Sequence, residues 1–383
     1  MVNINISSSI LIYQHIISIF DYKYILSRCM SKSKLTLLVD GNWLLISRLS
    51  VMNNRYLDDF ELCQDLKLML IKSINVVLRT FPLIDNVMFC ADGGSWRSKI
   101  ELPKCLHHEE EGANVEYKGT RVRSDDINWD LVFSAYEDFI ATLQQTGINT
   151  YREKDLEGDD WMYFWSHELN KQGTNCIIWS KDNDLKQLIN TNHNKCFTIW
   201  WNKDAGVFTD EHDEQDFDFL LNYEFNQNEQ LYNHVVEKSI KVTKINPKSI
   251  VIDKIIKGDQ SDNILPIILR KSKTKSEKKF KVSTKDIDFS LDYYDDNKVL
   301  NYIDNLINQK NYKGRIEDKS EEDIIEHFKY NRQIVALEDK SYPQYVKDIF
   351  EEHNDYSVSK DTKKAESIIQ ASSNKLKGIL DLI

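Results

Sequence analysis

The strongest constraint in this sequence is a repeated pairing: a short apolar run, then a carboxylate. Leu35–Val39 runs into Asp40-Gly41-Asn42, Asn86–Ala91 into Asp92-Gly93-Gly94, and Cys176–Trp179 into Ser180-Lys181-Asp182-Asn183-Asp184. Runs this short, apolar without alternation and closed by turn residues, read as strands buried on both faces, the signature of a parallel sheet. Between them, Phe60–Leu78 and Trp129–Gln145 carry apolar residues at helical spacing, and shorter strand signals lie at Ile148–Tyr151 and Phe197–Trp201. Strands alternating with helices predict an α/β fold with a mostly parallel central sheet and helices on both faces. In such a sheet the carboxyl ends of the strands face one crevice, where ligands bind. The pattern therefore gathers Asp40, Asp92, Asp182 and Asp184 in one place.

Further acids join them. Glu157-Gly158-Asp159-Asp160 opens an aromatic helix over Trp161–Leu169, and Asp259 and Asp262 follow a short helix over Ser249–Ile256. Any one of these is explained as a helix cap or turn residue, Asp92 before two glycines and Asp262 before Asn263 above all. The ordered set is not. So many carboxylates in one crevice repel one another and require cations to coexist. Oxygen donors with little histidine or thiol nearby select Mg²⁺, with Mn²⁺ as a substitute, over zinc. Two such ions are the common device for hydrolysing a phosphodiester.

The charge balance looks opposed to a nucleic-acid substrate: 61 acids against 50 bases give a formal net charge of −11 over 383 residues. The opposition is removed if the charge is segregated, with acids neutralised by bound metal and bases set against phosphates. Bases do gather in two stretches. One, 94–128, holds Arg97, Lys99, Lys104, Lys118, Arg121 and Arg123; the other is the run Arg270–Lys281, with Arg270, Lys271 and Lys273. The six cysteines form no Cys-x-x-Cys pair, which argues against a zinc site or disulfide framework and for a reducing, cytoplasmic setting. Ile10–Phe20 is apolar but is broken by Gln14 and His15, too short and polar to span a bilayer, and has neither the basic start nor the cleavage site of a signal peptide. Met30-Ser-Lys-Ser-Lys then precedes a clean strand, so residues 1–33 are expected to be a disordered or mis-annotated N-terminal stretch, with Met30 as the true start and residues 1–29 a gene-model extension.

Six segments occur in a telling order: VDGN at 39–42, FCADGGSWR at 89–97, YKGTR at 117–121, LEGDD at 156–160, SKDNDL at 180–185 and KGDQSDN at 257–263. Together, over about residues 34–265, they resemble the flap endonuclease and 5′→3′ exonuclease superfamily, most nearly its phage branch typified by T-even phage ribonuclease H. The resemblance implies a two-metal 5′-nuclease acting on DNA or an RNA–DNA hybrid with a 5′ end or flap, in phage DNA replication and hence in a host cytoplasm. It implies a first metal held by Asp92, Glu157, Asp159 and Asp182, a second held by Asp182, Asp184, Asp259 and Asp262, and outer roles for Asp40 and Asp160. Lys118 and Arg121 match basic residues that contact the scissile phosphate, and Tyr117 a ring that stacks on a nucleotide near the cut. Residues 94–128 match a helical arch expected to be poorly ordered before substrate binds.

The resemblance also implies a core over 34–235 and a C-terminal helical DNA-binding region over 236–383; the bases Arg97, Arg123, Lys254, Lys257, Arg270, Lys271 and Lys273 are expected as substrate contacts. After Asn263 the chain reads Ile264-Leu265-Pro266-Ile267-Ile268-Leu269. The family's glycine hairpin, with its potassium ion, is thus without its glycines, and Arg270–Lys281 is either a duplex contact through phosphates or a charged linker. A single-strand-binding protein or a sliding clamp is the implied protein partner, the apolar tail Leu376–Ile383 being either a clamp-docking segment or a helix packed on its own domain. A monomer is expected and no membrane association. The competing readings are a PIN-type ribonuclease, a structure-specific replication protein without chemistry, and a phosphohydrolase with a nucleophilic aspartate. The last would want Asp-x-Asp after the first strand, where Asn42 stands.

Overall fold

The structure, a computed structural model, describes residues 34–52, 59–81, 83–106, 116–121, 123–145, 148–193, 196–213, 217, 220, 241–271, 279–313 and 320–353. The expected extension over 1–33, Lys273 and the tail Leu376–Ile383 lie outside the described residues.

The sheet is built on β1 (Lys34–Asp40), which pairs in parallel with β2 (Asn86–Cys90) on one side and β4 (Thr174–Trp179) on the other. With β3 (Asn149–Tyr151), β5 (Asn190–His193), β6 (Cys196–Asn202), β7 (Gly206–Asp210) and β8 (Val242–Ile245) the order is β3-β2-β1-β4-β6-β7-β8, and β5 pairs with β6. The pairs are parallel except β6 with β7 and β5 with β6, which are antiparallel. Successive side chains of a strand point to opposite faces. Accordingly Leu35, Leu37, Val39, Ile177 and Trp179 enter one core with α1 (Gly41–Met52), α2 (Asp59–Thr80) and α3 (Trp129–Gln145). Leu38, Met88, Cys176 and Ile178 enter a second core, on the opposite face, with α4 (Gly158–Lys171). Burial on both faces is why β1 and β4 read as uninterrupted apolar runs.

A third core joins α5 (Pro247–Lys257), α6 (Asp296–Asn308) and α7 (Glu321–Val335). The last described helix, α8 (Gln344–Glu352), returns to α4, where Phe350 stacks on Phe164 at 4.8 Å. Two expectations are corrected here. The sheet extends past residue 235, because β8 pairs in parallel with β7. The run from Arg270 is not simply a linker in its described part: β9 (Arg270–Lys271) pairs antiparallel with β10 (Lys279–Phe280). Among the described residues no helix is long and apolar enough to cross a membrane.

The first half of the expected arch is also folded into the molecule. Trp96–Lys99 and Lys104–Leu106 are 3₁₀ turns, with Trp96 and Leu106 in the cores. Arg97 is 2% exposed, not a substrate contact. Its Nε donates to the Ile334 carbonyl at 2.9 Å, and its other nitrogens donate to Glu157 at 2.9 Å and to Asp160 at 2.8 and 3.1 Å. One guanidinium thereby ties the start of α4 to the end of α7. Removing one partner of a buried ion pair strands the other's charge, at about 3–5 kcal/mol. We expect Arg97→Met to lower unfolding stability by that amount in urea titration; a nucleic-acid contact at the surface would instead leave the midpoint unmoved.

Candidate active site

Strand order reverses between β1 and β4, the place where an open sheet forms a crevice at its carboxyl edge. Asp40 ends β1, and Asp182 follows β4 by a three-residue step from Trp179. Ser180 links them: its hydroxyl donates to Asp40 Oδ2 at 2.6 Å and accepts the Asp182 N–H at 2.8 Å. Asp40 Oδ1 also accepts the Trp43 N–H at 2.9 Å, in the first turn of α1. Beyond β2, Asp92 Oδ1 accepts the Gly158 N–H at 2.7 Å, and the Asp92 N–H is held by Asn42 Oδ1 at 3.1 Å. Glu157 is the N-cap of α4, where Asp160 reaches back to the Glu157 N–H. Asp40, Asp92, Glu157, Asp159 and Asp182 all line one cleft of ≈ 1090 Å³ with Lys118 and Arg121.

Asp160 is the exception among the acids expected near metal. It is fully buried and divided between Arg97 and the helix cap, so its part is to position Glu157.

A second group forms where α5 ends. Gly258 turns the chain at φ +65, a left-handed conformation, and a Cβ there would stand 2.2 Å from the Ile264 carbonyl. The tight return pairs Asp259 with Ile264 and brings Asp259 and Asp262 to Asp184, with carboxylate oxygens of the three within 4.8 Å of one another. Lys254 Nζ lies among them, 2.9 Å from Asp259 and from Asp262 and in closer contact with Asp184. Lys254 is thus the internal counter-cation of this acid group, where a substrate contact was expected. Lys257 is also turned inward, bonding Thr284 at 2.7 Å and Asp253 at 2.5 Å.

Burial and mutual repulsion set the acids' protonation. Asp40 is pushed up to about 7, by burial first, with Asp92 and Asp182 adding to it against the hydrogen bonds from Ser180 and Trp43. Asp92 rises to about 6 through burial and Glu157, and Asp184 to about 6 through burial, Lys254 opposing and Asp182 assisting. Asp159 is held well above the usual carboxylate range by burial, then by Asp182 and Asp40. Glu157 and Asp262 run the other way: burial opposes ionisation, but Lys118 with Arg97, and Lys254 with Lys118, outweigh it. Asp259 is held down to about 2, against its burial, by hydrogen bonds from Ser261 and by Lys254. Asp182 enters the surroundings of both Asp159 and Asp184 and so stands between the two groups.

Among the described residues the cleft is lined by no histidine or cysteine. A carboxylate set whose members hold one another partly protonated fits hard divalent cations. Asp92, Glu157, Asp159 and Asp182 could hold one ion, with Asp40, whose two oxygens accept from Trp43 and Ser180, behind them, and Asp182, Asp184, Asp259 and Asp262 a second.

The basic loop is fixed to this scaffold. Lys118, at φ +56, donates its N–H to the Asp262 carbonyl at 2.8 Å, while its Nζ pairs with Glu157. Arg121 pairs with Asp262 at 2.5 Å. Tyr117 does not offer a free ring: its hydroxyl donates to Glu157 at 3.2 Å, and the side chain is packed against the C-terminal core. The expected nucleotide-stacking role of Tyr117 is corrected accordingly. Arg123 is exposed at the cleft, whereas Arg270 and Lys271 are described only by their backbone pairing. Sequence reasoning missed Ser180 and the apolar wall of the cleft, Trp43, Ile46, Trp129 and Phe133. Ser180 stood inside a quoted motif, Trp129 and Phe133 read only as the apolar spacing of a helix, and the helix that carries Trp43 and Ile46 was not anticipated.

No family model matches the chain and no curated protein matches it. Among solved structures it is similar to the D15 protein of phage T5 co-crystallised with metal ions, at 15% identity over 84% of this chain and 98% of that one, with a TM-score of 0.48. It is also similar to phage T5 5′-exonuclease with bound zinc, at 16% identity over 88% and 100% and a TM-score of 0.46. A third likeness is to the D15 flap endonuclease of bacteriophage T5 in a pseudo-enzyme–product complex with DNA and metal ions, at 16% identity, 89% and 100% coverage and a TM-score of 0.45.

Two outcomes follow from the electrostatics. Asp40, Asp92 and Asp184, with raised values, keep protons in the folded state that the unfolded chain has released above about pH 4, so each stabilises less as pH rises toward about 6–7. In chelator, the melting temperature should fall between about pH 5 and 7, and Mg²⁺ should flatten that slope; a rise in chelator would refute the assignment. Lys254→Met leaves three acids without their cation. It should cost about 3–5 kcal/mol in chelator, with a larger stabilisation by Mg²⁺ than the unaltered protein shows in the same thermal melt.

Proposed function

We propose that this chain is a metal-dependent, structure-specific 5′-nuclease that hydrolyses phosphodiester bonds in DNA, or in an RNA–DNA hybrid, at a 5′ end or flap. The observation that carries the reading is a carboxylate cluster at the switch point of a parallel sheet with Lys118 and Arg121 on the same cleft. The ordered motifs that supply these residues agree with it, with Mg²⁺ as the working ion.

Hydrolysis replaces one P–O ester bond by a bond to a water oxygen, and negative charge builds on the phosphate as it proceeds. Divalent ions, when bound, would lower the pKa of the attacking water and stabilise the leaving oxygen. The chain's own contribution is positioning. Ser180 fixes Asp40 against Asp182, and Arg97 and Asp160 fix Glu157. Lys118 is held at the cleft by its backbone bond to Asp262, so its ammonium can turn from Glu157 to an entering phosphate. There it offsets developing charge in a partly dry site. Arg121, half exposed and paired with Asp262, can meet the same phosphate from the solvent side.

The test is cleavage of a 5′-labelled flap and of an RNA–DNA hybrid with Mg²⁺ and with chelator. We expect Asp182→Ala to abolish cutting and Lys118→Met to lower kcat by roughly 10²–10³-fold, the usual cost of losing one charge-stabilising donor, with substrate affinity nearly kept. No metal-dependent cut on either substrate would sink the nuclease reading.

A further inference from the structure

The cleft that holds the acids has a second wall of different chemistry. Besides the carboxylates it is lined by Trp43 and Ile46 of α1 and by Trp129 and Phe133 of α3. These four residues are not wholly taken up by packing. Trp43, Trp129 and Phe133 are partly buried, with the main core behind them, and Ile46 is 48% exposed. Trp129 and Phe133 are four residues apart on one helix face, their ring centroids 5.8 Å apart and their planes 31° apart. The indole of Trp129 is pinned by a 2.9 Å hydrogen bond from Nε1 to the Ser124 carbonyl. The guanidinium of Arg123 lies over the pair, 4.9 Å from the Phe133 centroid and 5.9 Å from that of Trp129. A flat cation already rests where a flat base would stack.

Given the nuclease reading, on which this step rests, we propose that Trp129 and Phe133 form the stacking shelf for an unpaired nucleobase next to the scissile phosphate, with Arg123 closing over it. Three observations select that occupant. The shelf shares one cavity with Asp159, Asp182, Lys118 and Arg121, so a strand whose phosphate meets the last two has its next base within the same walls. The charges on offer to a ligand at the rim, Arg121 and Arg123, are cationic and suit a phosphate backbone, not an apolar peptide. Finally, Tyr117, the ring the sequence offered for stacking, is packed away with its hydroxyl on Glu157, whereas the α3 rings face the cleft. A paired base exposes only its edge to such a wall, so the shelf selects unpaired strand.

The experiment places 2-aminopurine at the first unpaired position of a 5′ flap and, in a second oligonucleotide, several nucleotides further out. Binding is followed by fluorescence with chelator present, so that nothing is cut. Stacking on the shelf predicts strong quenching at the first position and little at the outer one. The double variant Trp129→Leu, Phe133→Leu keeps apolar bulk against the core but removes both π faces. It should abolish that quenching and lower the ratio of flap to flapless-duplex affinity by roughly tenfold, as expected for a stacked base. Equal quenching at both positions in the unaltered protein overturns the shelf without any variant. So does an unchanged affinity ratio in a variant that still binds flapless duplex. A protein that cuts flaps with Mg²⁺ but gives either result has lost the shelf and kept its activity; one that cuts nothing has lost the nuclease reading itself.

Discussion

Like-charge repulsion among carboxylates is the constraint around which this molecule is arranged. Asp40, Asp92, Glu157, Asp159 and Asp182 line one cleft, and Asp184, Asp259 and Asp262 converge beside it. Several ionised groups so close and so dry would oppose folding unless cations or protons intervened. Among the described residues, three largely buried cations answer them, besides the more exposed Arg121 on Asp262. Arg97 holds Glu157 and Asp160, Lys118 holds Glu157, and Lys254 sits within the Asp184–Asp259–Asp262 group. Each also ties remote segments together: Arg97 joins α4 to α7, the Lys118 loop is bonded to the turn after α5, and Lys254 joins α5 to Asp184 beyond β4. The acids that would carry chemistry therefore also organise the join between the sheet and the C-terminal helices.

Which acids keep their charge follows in most cases from where those cations stand, Asp184 excepted: Lys254 is in contact with it, yet burial raises it to about 6. Glu157, Asp259 and Asp262 have a lysine or arginine in contact and are held below the usual carboxylate range. Asp40 and Asp92 make no ion pair among the described residues, and Asp159 is in the same position; burial and their neighbours raise all three. The unneutralised excess lies in the first group, at the floor of the crevice, and that is where a divalent ion would gain most from entering. In the second group Lys254 already balances part of the charge, so entry there would require that ammonium to yield or to share its oxygens.

Much of this was legible in the sequence, for a physical reason. Strands buried on both faces must be apolar throughout, so β1, β2 and β4 announced themselves, and turn residues marked their ends. Trp129–Gln145 forms a helix over the expected residues, because its apolar spacing and its surroundings agree. The strands β7 and β8 were not seen, since Gly206–Asp210 and Val242–Ile245 at the sheet's far edge carry mixed patterns, β8 being partly exposed. The acids were placed by the rule that strand ends share a crevice. The bases were not. An arginine or lysine is drawn by the same Coulomb attraction to a phosphate or to a carboxylate, and sequence does not say which arrives first. Arg97 and Lys254 were assigned to the ligand and belong to the acids. Each does leave a trace in hindsight: Arg97 follows Trp96, a fully buried ring, and Lys254 lies beside the buried stripe Val251, Ile252, Ile255 and Ile256. A cation embedded in an apolar pattern is more often answering an internal acid than reaching for solvent.

The same rule settles the apparent conflict between a net charge of −11 and a polyanionic substrate. Net charge summed over a chain does not describe the potential at a cleft, where separation and burial weight each group. Here Arg121 and Arg123 stand at the exposed rim, while the acids they oppose lie deeper and are partly protonated or paired. An approaching phosphate meets the cations first and the carboxylates only once divalent ions share them. In the proposed nuclease, divalent metal would then add to an affinity that Arg121 and Arg123 already supply, by removing the repulsion of the deeper acids. The acids that also help to hold the fold together are, on the proposed reading, the groups whose repulsion of a phosphate a bound divalent ion would reverse.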